Sequence, residues 1–296
     1  MRIFFVGSVQ FSRKMLEGIL TIKNVDLVGI ATKSKSSFNS DHDDLSDIAL
    51  ANNIPYKYVK DINAPHIVEW ISNLSADIIY CLGWSSLIKQ ELLSSSSLGV
   101  IGYHPAELPQ NRGRHPLIWA LVLGLKKTAS TFFFMDNGAD TGDIISQESI
   151  EVLQSDDAST MYKKIEELAL IQIKNFTKEL SENNGIIARR KQDHIEGNYW
   201  RKRGKNDGRI DFRMSSEAIY NLIRGLTKPY VGAHLEFGDQ DIKVWSSEII
   251  DFNIDNYEPG KVLKSNSIGV LVKTYDGAIL LTEHEFETLP EVNTYL

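Results

Sequence analysis

Two side chains near the middle of the chain have the types and setting for acid–base chemistry. His104 stands in Gly102-Tyr103-His104-Pro105-Ala106-Glu107-Leu108-Pro109-Gln110-Asn111-Arg112-Gly113-Arg114-His115-Pro116, directly after the run Leu98 to Tyr103, which reads as a strand. Histidine changes charge near neutral pH and so suits proton transfer. Asp140 stands in Met135-Asp136-Asn137-Gly138-Ala139-Asp140-Thr141-Gly142-Asp143, past a second strand-like run, Thr128 to Met135. A carboxylate near an imidazole holds one tautomer and stabilises the protonated ring. Each residue alone has a plainer reading. His104 can satisfy a loop hydrogen bond, and 136–143 can be a Gly- and Asp-rich turn. The two prolines, Arg112-Gly113-Arg114 and the downstream acid together favour a reaction centre. Asp136-Asn137-Gly138 lacks the EF-hand register, and no metal is expected.

The elements that must position these residues follow from hydrophobic periodicity. Ile3 to Val6 is a short apolar run closed by Gly7-Ser8, the pattern of a buried parallel strand. Phe11, Met15, Leu16 and Ile19 mark one face of a helix, and Val25 to Ala31 a second strand. Thr32 to Asp44 is polar and reads as a loop. Helices are expected over Leu45 to Asn52 and Ile67 to Leu74, and strands over Asp77 to Leu82 and Leu98 to Tyr103. Alternating strands and helices predict an α/β fold, a Rossmann-like open and mainly parallel sheet with helices on both faces. In such a sheet, residues just beyond strand C-termini line the ligand crevice. Gly7-Ser8-Val9-Gln10 lacks the GxGxxG spacing, so no bound NAD is implied. Thr128 to Met135 and Asp143 to Val152 read as a hairpin, and Ala158 to Leu180 as a long helix stopped by Asn183-Asn184-Gly185. Asp193 to Asp211 is polar and reads as a linker or a substrate-facing loop. Ser215 to Leu226 is a helix capped by Ser215-Ser216-Glu217. Short alternating strands then dominate: Ala233–Phe237, Ile242–Ile249, Gly260–Leu263, Gly269–Lys273 and Ala278–Thr282. They predict a small C-terminal β-barrel-like domain. The expected domains are 1–190, a linker at 191–213, and 214–296.

Bulk properties narrow the function classes. A chain of 296 residues with 42% hydrophobic and 24% charged residues can bury a sizeable core, in one large or two smaller domains. The net charge of −7 argues against non-specific nucleic-acid binding, which needs a local excess of Lys and Arg. The single cysteine, Cys81, excludes an internal disulfide and fits a reducing cytoplasm. It lies in the apolar run Ile78-Ile79-Tyr80-Cys81-Leu82, the setting of a buried structural thiol. The opening residues are too short for a signal-peptide core, and no run approaches the roughly 20 apolar residues of a membrane span.

The motifs His104 to Pro116 and Met135 to Ile144 together resemble the folate-dependent formyltransferase family, which includes methionyl-tRNA formyltransferase and the sugar N-formyltransferases. Phe5-Val6-Gly7-Ser8 with Phe11 and Leu16 is similar to the family's opening strand and loop. Ala218 to Ala233 is similar to its post-linker helix. The resemblance implies N10-formyltetrahydrofolate as donor, without a metal. A primary amine attacks the formyl carbon to give a tetrahedral oxyanion. It implies an Asn, His and Asp at the reacting centre. His104 and Asp140 match the second and third, but the Asn position is Gly102. An absent oxyanion donor costs roughly 10²–10³ in rate. Asn111, a backbone amide or a water beside Gly102 are the candidate replacements; a slow or inactive enzyme is the other outcome. On the donor side the resemblance implies Trp84, Ser85, Leu87, Arg114, Pro116, Asp136 and Ala139. On the acceptor side the candidates are Ser8, Gln10, Phe11 and Tyr103, with Arg201 and Arg203 of a basic run that reads equally as a solvated linker.

The acceptor class follows from charge. The tRNA enzymes of the family resemble one another in a basic loop after the second strand. Here that region, 33–44, holds two lysines and three aspartates, a poor surface for a phosphate backbone. An amino sugar is therefore the expected partner, with Arg201-Lys202-Arg203-Gly204-Lys205 meeting a phosphate or carboxylate. Gly102-Tyr103-His104-Pro105 resembles a subgroup linked to bacterial nonulosonic (pseudaminic) acid pathways. The alternatives are a formyltetrahydrofolate hydrolase, a methionyl-tRNA formyltransferase and a non-catalytic folate- or sugar-binding relative. A homodimer is a further expectation.

Overall fold

Runs of four apolar residues without polar alternation have to be buried on both faces, and the first strand is such a run. In the computed structural model, which describes residues 1–35, 41–193, 195–252 and 256–296, Ile3, Phe4, Phe5 and Val6 are wholly buried. The first half of the chain runs β1 (Arg2–Val6), α1 (Gln10–Leu20), β2 (Asp26–Thr32), α2 (Ser46–Ala51), β3 (Tyr56–Tyr58), α3 (Pro65–Asn73), β4 (Ile78–Cys81), α4 (Gln90–Leu93) and β5 (Val100–His104). It continues through β6 (Arg112–Gly113), α5 (Pro116–Val122), β7 (Lys127–Phe134), β8 (Ile144–Glu151), α6 (Ala158–Glu182) and β9 (Tyr199–Trp200). The C-terminal part holds α7 (Ser216–Leu226), β10 (Ala233–Phe237), β11 (Gln240–Ile250), β12 (Val262–Asn266), β13 (Gly269–Lys273) and β14 (Ala278–His284).

The chain divides into two compact units. One comprises Met1–Pro116, Thr128–Ile150 and Lys163–Trp200; the other comprises Leu117–Lys127, Glu151–Tyr162 and Arg201–Leu296. The first unit carries a seven-stranded sheet in the order β3-β2-β1-β4-β5-β7-β8. β3, β2, β1, β4 and β5 are mutually parallel, and β7 runs antiparallel to β5. The order reverses between β1 and β4, so the crevice at their C-terminal ends is where ligands of such sheets bind. One face packs Phe4, Val6, Ile79, Cys81 and Val100 with Ile67 and Ile71 of α3. On the other, Tyr80 donates or accepts a 2.8 Å hydrogen bond with Thr177 of α6, and its ring meets Phe176. This is the mainly parallel, helix-covered sheet expected from the alternating pattern.

The second unit is built on a five-stranded antiparallel sheet, order β10-β11-β14-β13-β12. Ile219, Leu222, Ile223 and Leu226, one face of α7, pack with Leu235, Val244, Val270, Ile279 and Leu281 of the sheet. Ser215 caps α7, its hydroxyl accepting from the Ala218 amide at 3.1 Å. Arg224 is buried and donates to the carbonyls of Leu153 and Asp156 at 2.9 and 2.8 Å, which ties the segment before α6 to α7.

Several short elements lack a periodic signal: β3, α4, β6 and β9. The most consequential is β9, which lies in the stretch expected to be a linker or substrate-facing loop and pairs in parallel with β6. Residues 36–40 of the polar loop after β2, and residue 194 of that stretch, lie outside the described residues. Among the described residues no helix is long and apolar enough to cross a membrane.

Candidate active site

β5 delivers His104 as its last residue, at the C-terminal edge of the sheet. Side chains alternate along a strand, so Gly102 and His104 share the face of Val100, while Tyr103 points to the other. His104 is buried, and its Nε2 lies 2.7 Å from the Asn111 carbonyl oxygen. A carbonyl only accepts, so Nε2 carries the hydrogen and donates it. Nδ1 is left as the nitrogen that can gain or lose a proton without breaking that bond. It faces Asp140, with Oδ2 at 3.6 Å, beyond a hydrogen bond but within ion-pair range.

Asp140 reaches this place through the turn after β7. Its φ is +58°, a left-handed conformation that Asp and Asn tolerate better than most residues. Its Oδ2 accepts from the Gly113 amide at 2.9 Å. Asn111 is also left-handed, φ +63°, which turns its carbonyl toward His104, and its amide donates to Asn198 Oδ1 at 2.7 Å. β9 supports the same segment. The Arg112 amide donates to the Asn198 carbonyl and the Arg114 amide to the Trp200 carbonyl, at 3.1 and 3.0 Å. Asp136 has a turn role, accepting from the Gly138 amide at 2.9 Å and the Thr141 hydroxyl at 2.5 Å. Ala139 lies half-buried between that turn and Asp140.

The position expected to carry an amide donor is filled from the side. A Cβ on Gly102 would lie 3.0 Å from Met135 Cγ, 3.1 Å from Phe133 Cζ and 3.3 Å from Met135 Sδ. A side chain at Gly102 would therefore crowd the Met135 and Phe133 side chains, which would have to give by a few tenths of an ångström to admit it. What Asn111 contributes to His104 is its main-chain carbonyl.

Of the residues proposed for the donor side, Trp84, Ser85 and Leu87 follow β4. Arg114 donates to the Ser85 carbonyl at 3.0 Å, linking the two loops. Trp84 packs against the core cluster that holds Ile67 and Ile71 of α3, the Lys33 ammonium sits 4.2 Å from its ring centroid, and its buried indole N–H has no hydrogen-bond partner among the described residues. Leu87 is exposed and its carbonyl accepts from Asn63. Pro116 opens α5, where its missing N–H costs nothing. The acceptor-side residues are more dispersed. Ser8 is buried beyond the end of β1 with its hydroxyl unpartnered among the described residues, and Gln10 is exposed at the start of α1. Phe11 and Tyr103 stack at 4.4 Å on the face opposite His104, with Tyr103 hydrogen-bonded to Ser130 at 2.9 Å. Arg201 and Arg203 belong to the second unit and are held there. Arg201 donates to Asp207 Oδ2 at 2.8 Å, Arg203 donates to the Asp207 carbonyl, and both guanidiniums lie on the Trp119 ring. Burial lowers the Arg203 pKa from its ordinary value, and the Arg201 hydrogen bond holds the Asp207 carboxyl well below the usual range.

Sequence reasoning did not single out Gln192, Asn198 or Arg112 individually. Arg112 had a signal in its place between Asn111 and Gly113; the other two had none, because their partners, Asn111 and Arg112 for Asn198 and Arg112, Asp140 and Gly142 for Gln192, lie 50 or more residues away in the chain. Among the described residues no group of three or more His, Cys, Asp or Glu side chains is placed to hold a metal ion.

A family model described as "Formyl transferase" matches residues 1–174, and one described as "Formyl transferase, C-terminal domain" matches residues 202–294. The chain belongs to the formyl transferase family. This formyl transferase is 29% identical over 296 residues to the methionyl-tRNA formyltransferase of Caldanaerobacter subterraneus, covering 97% of this chain and 93% of that one. It is 30% identical over 290 residues to that of Alkaliphilus oremlandii, covering 97% and 92%. Its fold is similar to the N-formyltransferase from Helicobacter canadensis in complex with folinic acid and dTDP-3-aminofucose. There the TM-score is 0.71 at 20% identity, covering 95% of this chain and 98% of that one.

Proposed function

We propose that this formyl transferase moves the formyl group of N10-formyltetrahydrofolate to the primary amine of an amino sugar, nucleotide-linked or of nonulosonic-acid type. The observation that carries the chemistry is His104 at a parallel strand's C-terminus, anchored through Nε2 and facing Asp140 through Nδ1. In this mechanism the acceptor amine attacks the formyl carbon, and its surplus proton passes to His104 Nδ1. The Asp140 carboxylate stabilises the imidazolium that results. Collapse of the tetrahedral adduct breaks the bond from carbon to N10, which takes the proton back from His104 Nδ1 as it leaves. With no side chain at Gly102, the oxyanion is stabilised by main-chain amides or the Asn111 side-chain amide. The folate complex of the Helicobacter canadensis enzyme supports the donor assignment.

A small acceptor is supported by charge. Arg13 is paired with Asp43 and Asp47 at 2.7 and 2.9 Å, which leaves Lys33, over the Trp84 ring, and the exposed Lys35 as the basic residues of the described loop. The described part of the loop after β2 thus offers little free positive charge to a phosphate backbone. The full-length likeness to methionyl-tRNA formyltransferases favours a second reading, in which the acceptor is methionyl-tRNA. Incubation with N10-formyltetrahydrofolate and, separately, a panel of amino sugars and charged tRNA separates the two by which acceptor releases tetrahydrofolate. Release with no amine at all would identify a hydrolase instead, and binding without release a non-catalytic relative.

A further inference from the structure

Arg112 is among the most completely buried side chains of the protein, with 1% exposure, and no carboxylate among the described residues pairs with it. A buried cation without a counter-charge is costly unless hydrogen bonds and polarisable groups compensate it. Here Nε and Nη2 converge on one acceptor, Gln192 Oε1, at 3.1 and 2.7 Å, and the Tyr199 ring lies 5.6 Å from the guanidinium carbon. The opposite end of Gln192 is equally committed. Its Nε2 donates to the Asp140 carbonyl at 2.9 Å and to the Gly142 carbonyl at 2.7 Å. The amide orientation follows from its neighbours, since a flipped amide would set N–H against N–H and oxygen against two carbonyls. An amide that accepts from a cation is polarised and donates more strongly at its nitrogen.

We propose that Gln192, braced by the guanidinium of Arg112, is the positioning residue that holds the Asp140 carboxylate against Nδ1 of His104. The inference presupposes that His104 and Asp140 form the reaction centre. Both Gln192 donors fix carbonyls on either side of Thr141, so the run 140–142 has little freedom to rotate. Gly113, the chain neighbour of Arg112, grips the carboxylate itself through its amide. The two-residue strand β6 therefore sets Asp140 twice, once directly and once through Gln192. β9 keeps β6 in place, and a Cβ on Gly197, just before β9, would lie 2.5 Å from Arg112 Nη1. Gln192 acts on His104 through Asp140.

The Gln192→Glu variant is the sharpest test. A glutamate keeps and strengthens the contact to Arg112 but turns an acceptor oxygen toward the two carbonyls that need donors. Steady-state turnover of wild type, Q192E, D140N and the double variant would be compared, together with the ¹⁵N resonance of His104 Nδ1 at one fixed pH. Q192E is expected to lower kcat by about 10²-fold, the cost of a small misplacement, with the donor KM little changed. In the D140N background Q192E should cost nothing further, because both changes remove the same service. The Nδ1 resonance should move in Q192E as it does in D140N. Losses that multiply in the double variant, or an Nδ1 resonance unchanged in Q192E, would overturn the proposal. If Q192E does not fold, Gln192→Asn substitutes for it. A side chain one methylene shorter can hold Arg112 or the two carbonyls, not both, and the same expectations apply. If the wild type turns over no donor with any amine, the proposed function has failed, while the resonance comparison still decides the role of Gln192.

Discussion

At residue scale, Asp140 offers a clean separation of chemistry from structure. Its left-handed φ of +58° suits Asn as well as Asp, and an Asn Oδ1 can still accept from the Gly113 amide. Asp140→Asn should therefore leave stability within about 0.5 kcal/mol of wild type. It removes the charge facing Nδ1, so kcat should fall by roughly 10²–10⁴-fold. Thermal melts beside tetrahydrofolate release check both halves. Gly102 is the converse case, where the obvious repair has no room. Restoring an amide with Gly102→Asn alone pushes a Cβ to 3.0 Å from Met135 Cγ. The overpacking should cost about 1–3 kcal/mol without raising turnover. Gly102→Asn with Met135→Ala removes the two Met135 contacts and leaves only Phe133 Cζ close, at 3.1 Å. If main-chain or Asn111 donors already serve the oxyanion, that double variant should not exceed wild-type kcat. A sharp rise with KM unchanged would show the oxyanion to be unserved in the natural protein.

At the scale of elements, the site depends on β6 more than its two residues suggest. Gly113 has φ +102°, and a Cβ there would lie 2.3 Å from the Trp200 carbonyl oxygen. Gly113→Ala should lose more than about 1 kcal/mol, measured by chemical denaturation. It should also lower activity, because the amide that holds Asp140 moves with the strand. The long elements of the fold are legible because periodicity states burial directly. The residues Ile3 to Val6 read as a strand and the face Phe11, Met15, Leu16 and Ile19 as a helix, since each pattern matches one buried surface. β6 and β9 are illegible for the opposite reason: two residues carry no period, and their pairing joins positions that only the tertiary fold brings together. β4 supplies a probe of the whole sheet. Burial pushes the Cys81 thiol up to about 12, so at pH 8 almost no thiolate exists and the group is shielded as well. Labelling by a thiol reagent should be slow in the native protein, and its rate should rise with denaturant in step with global unfolding.

At the scale of the whole molecule, the meeting of His104 and Asp140 was more legible than the identity of the acceptor. His104 and Asp140 could be read because each follows a strand whose period marks its end, and a parallel sheet gathers strand ends. Phe11 and Tyr103 could not be assigned a face until β5 was placed, since a strand hides half its residues from any one side. The acceptor is a property of the surface, where 32 basic residues are outnumbered by 39 acidic ones. That balance yields a test independent of knowing the sugar. A tRNA acceptor making six to ten phosphate contacts would lose roughly 10³–10⁵ in affinity between 50 and 200 mM salt, through released counterions. A sugar nucleotide brings at most a diphosphate, so its kcat/KM should fall by about tenfold or less over the same range. Measuring kcat/KM for the best acceptor against salt therefore reads the number of phosphates engaged. A shallow slope, with no shift of the protein by uncharged or charged tRNA in a gel at low salt, is the outcome expected from its charge. A steep slope would mean that the basic residues gather on one surface despite the net excess of acid, and would move the acceptor to the methionyl-tRNA class of its sequence relatives.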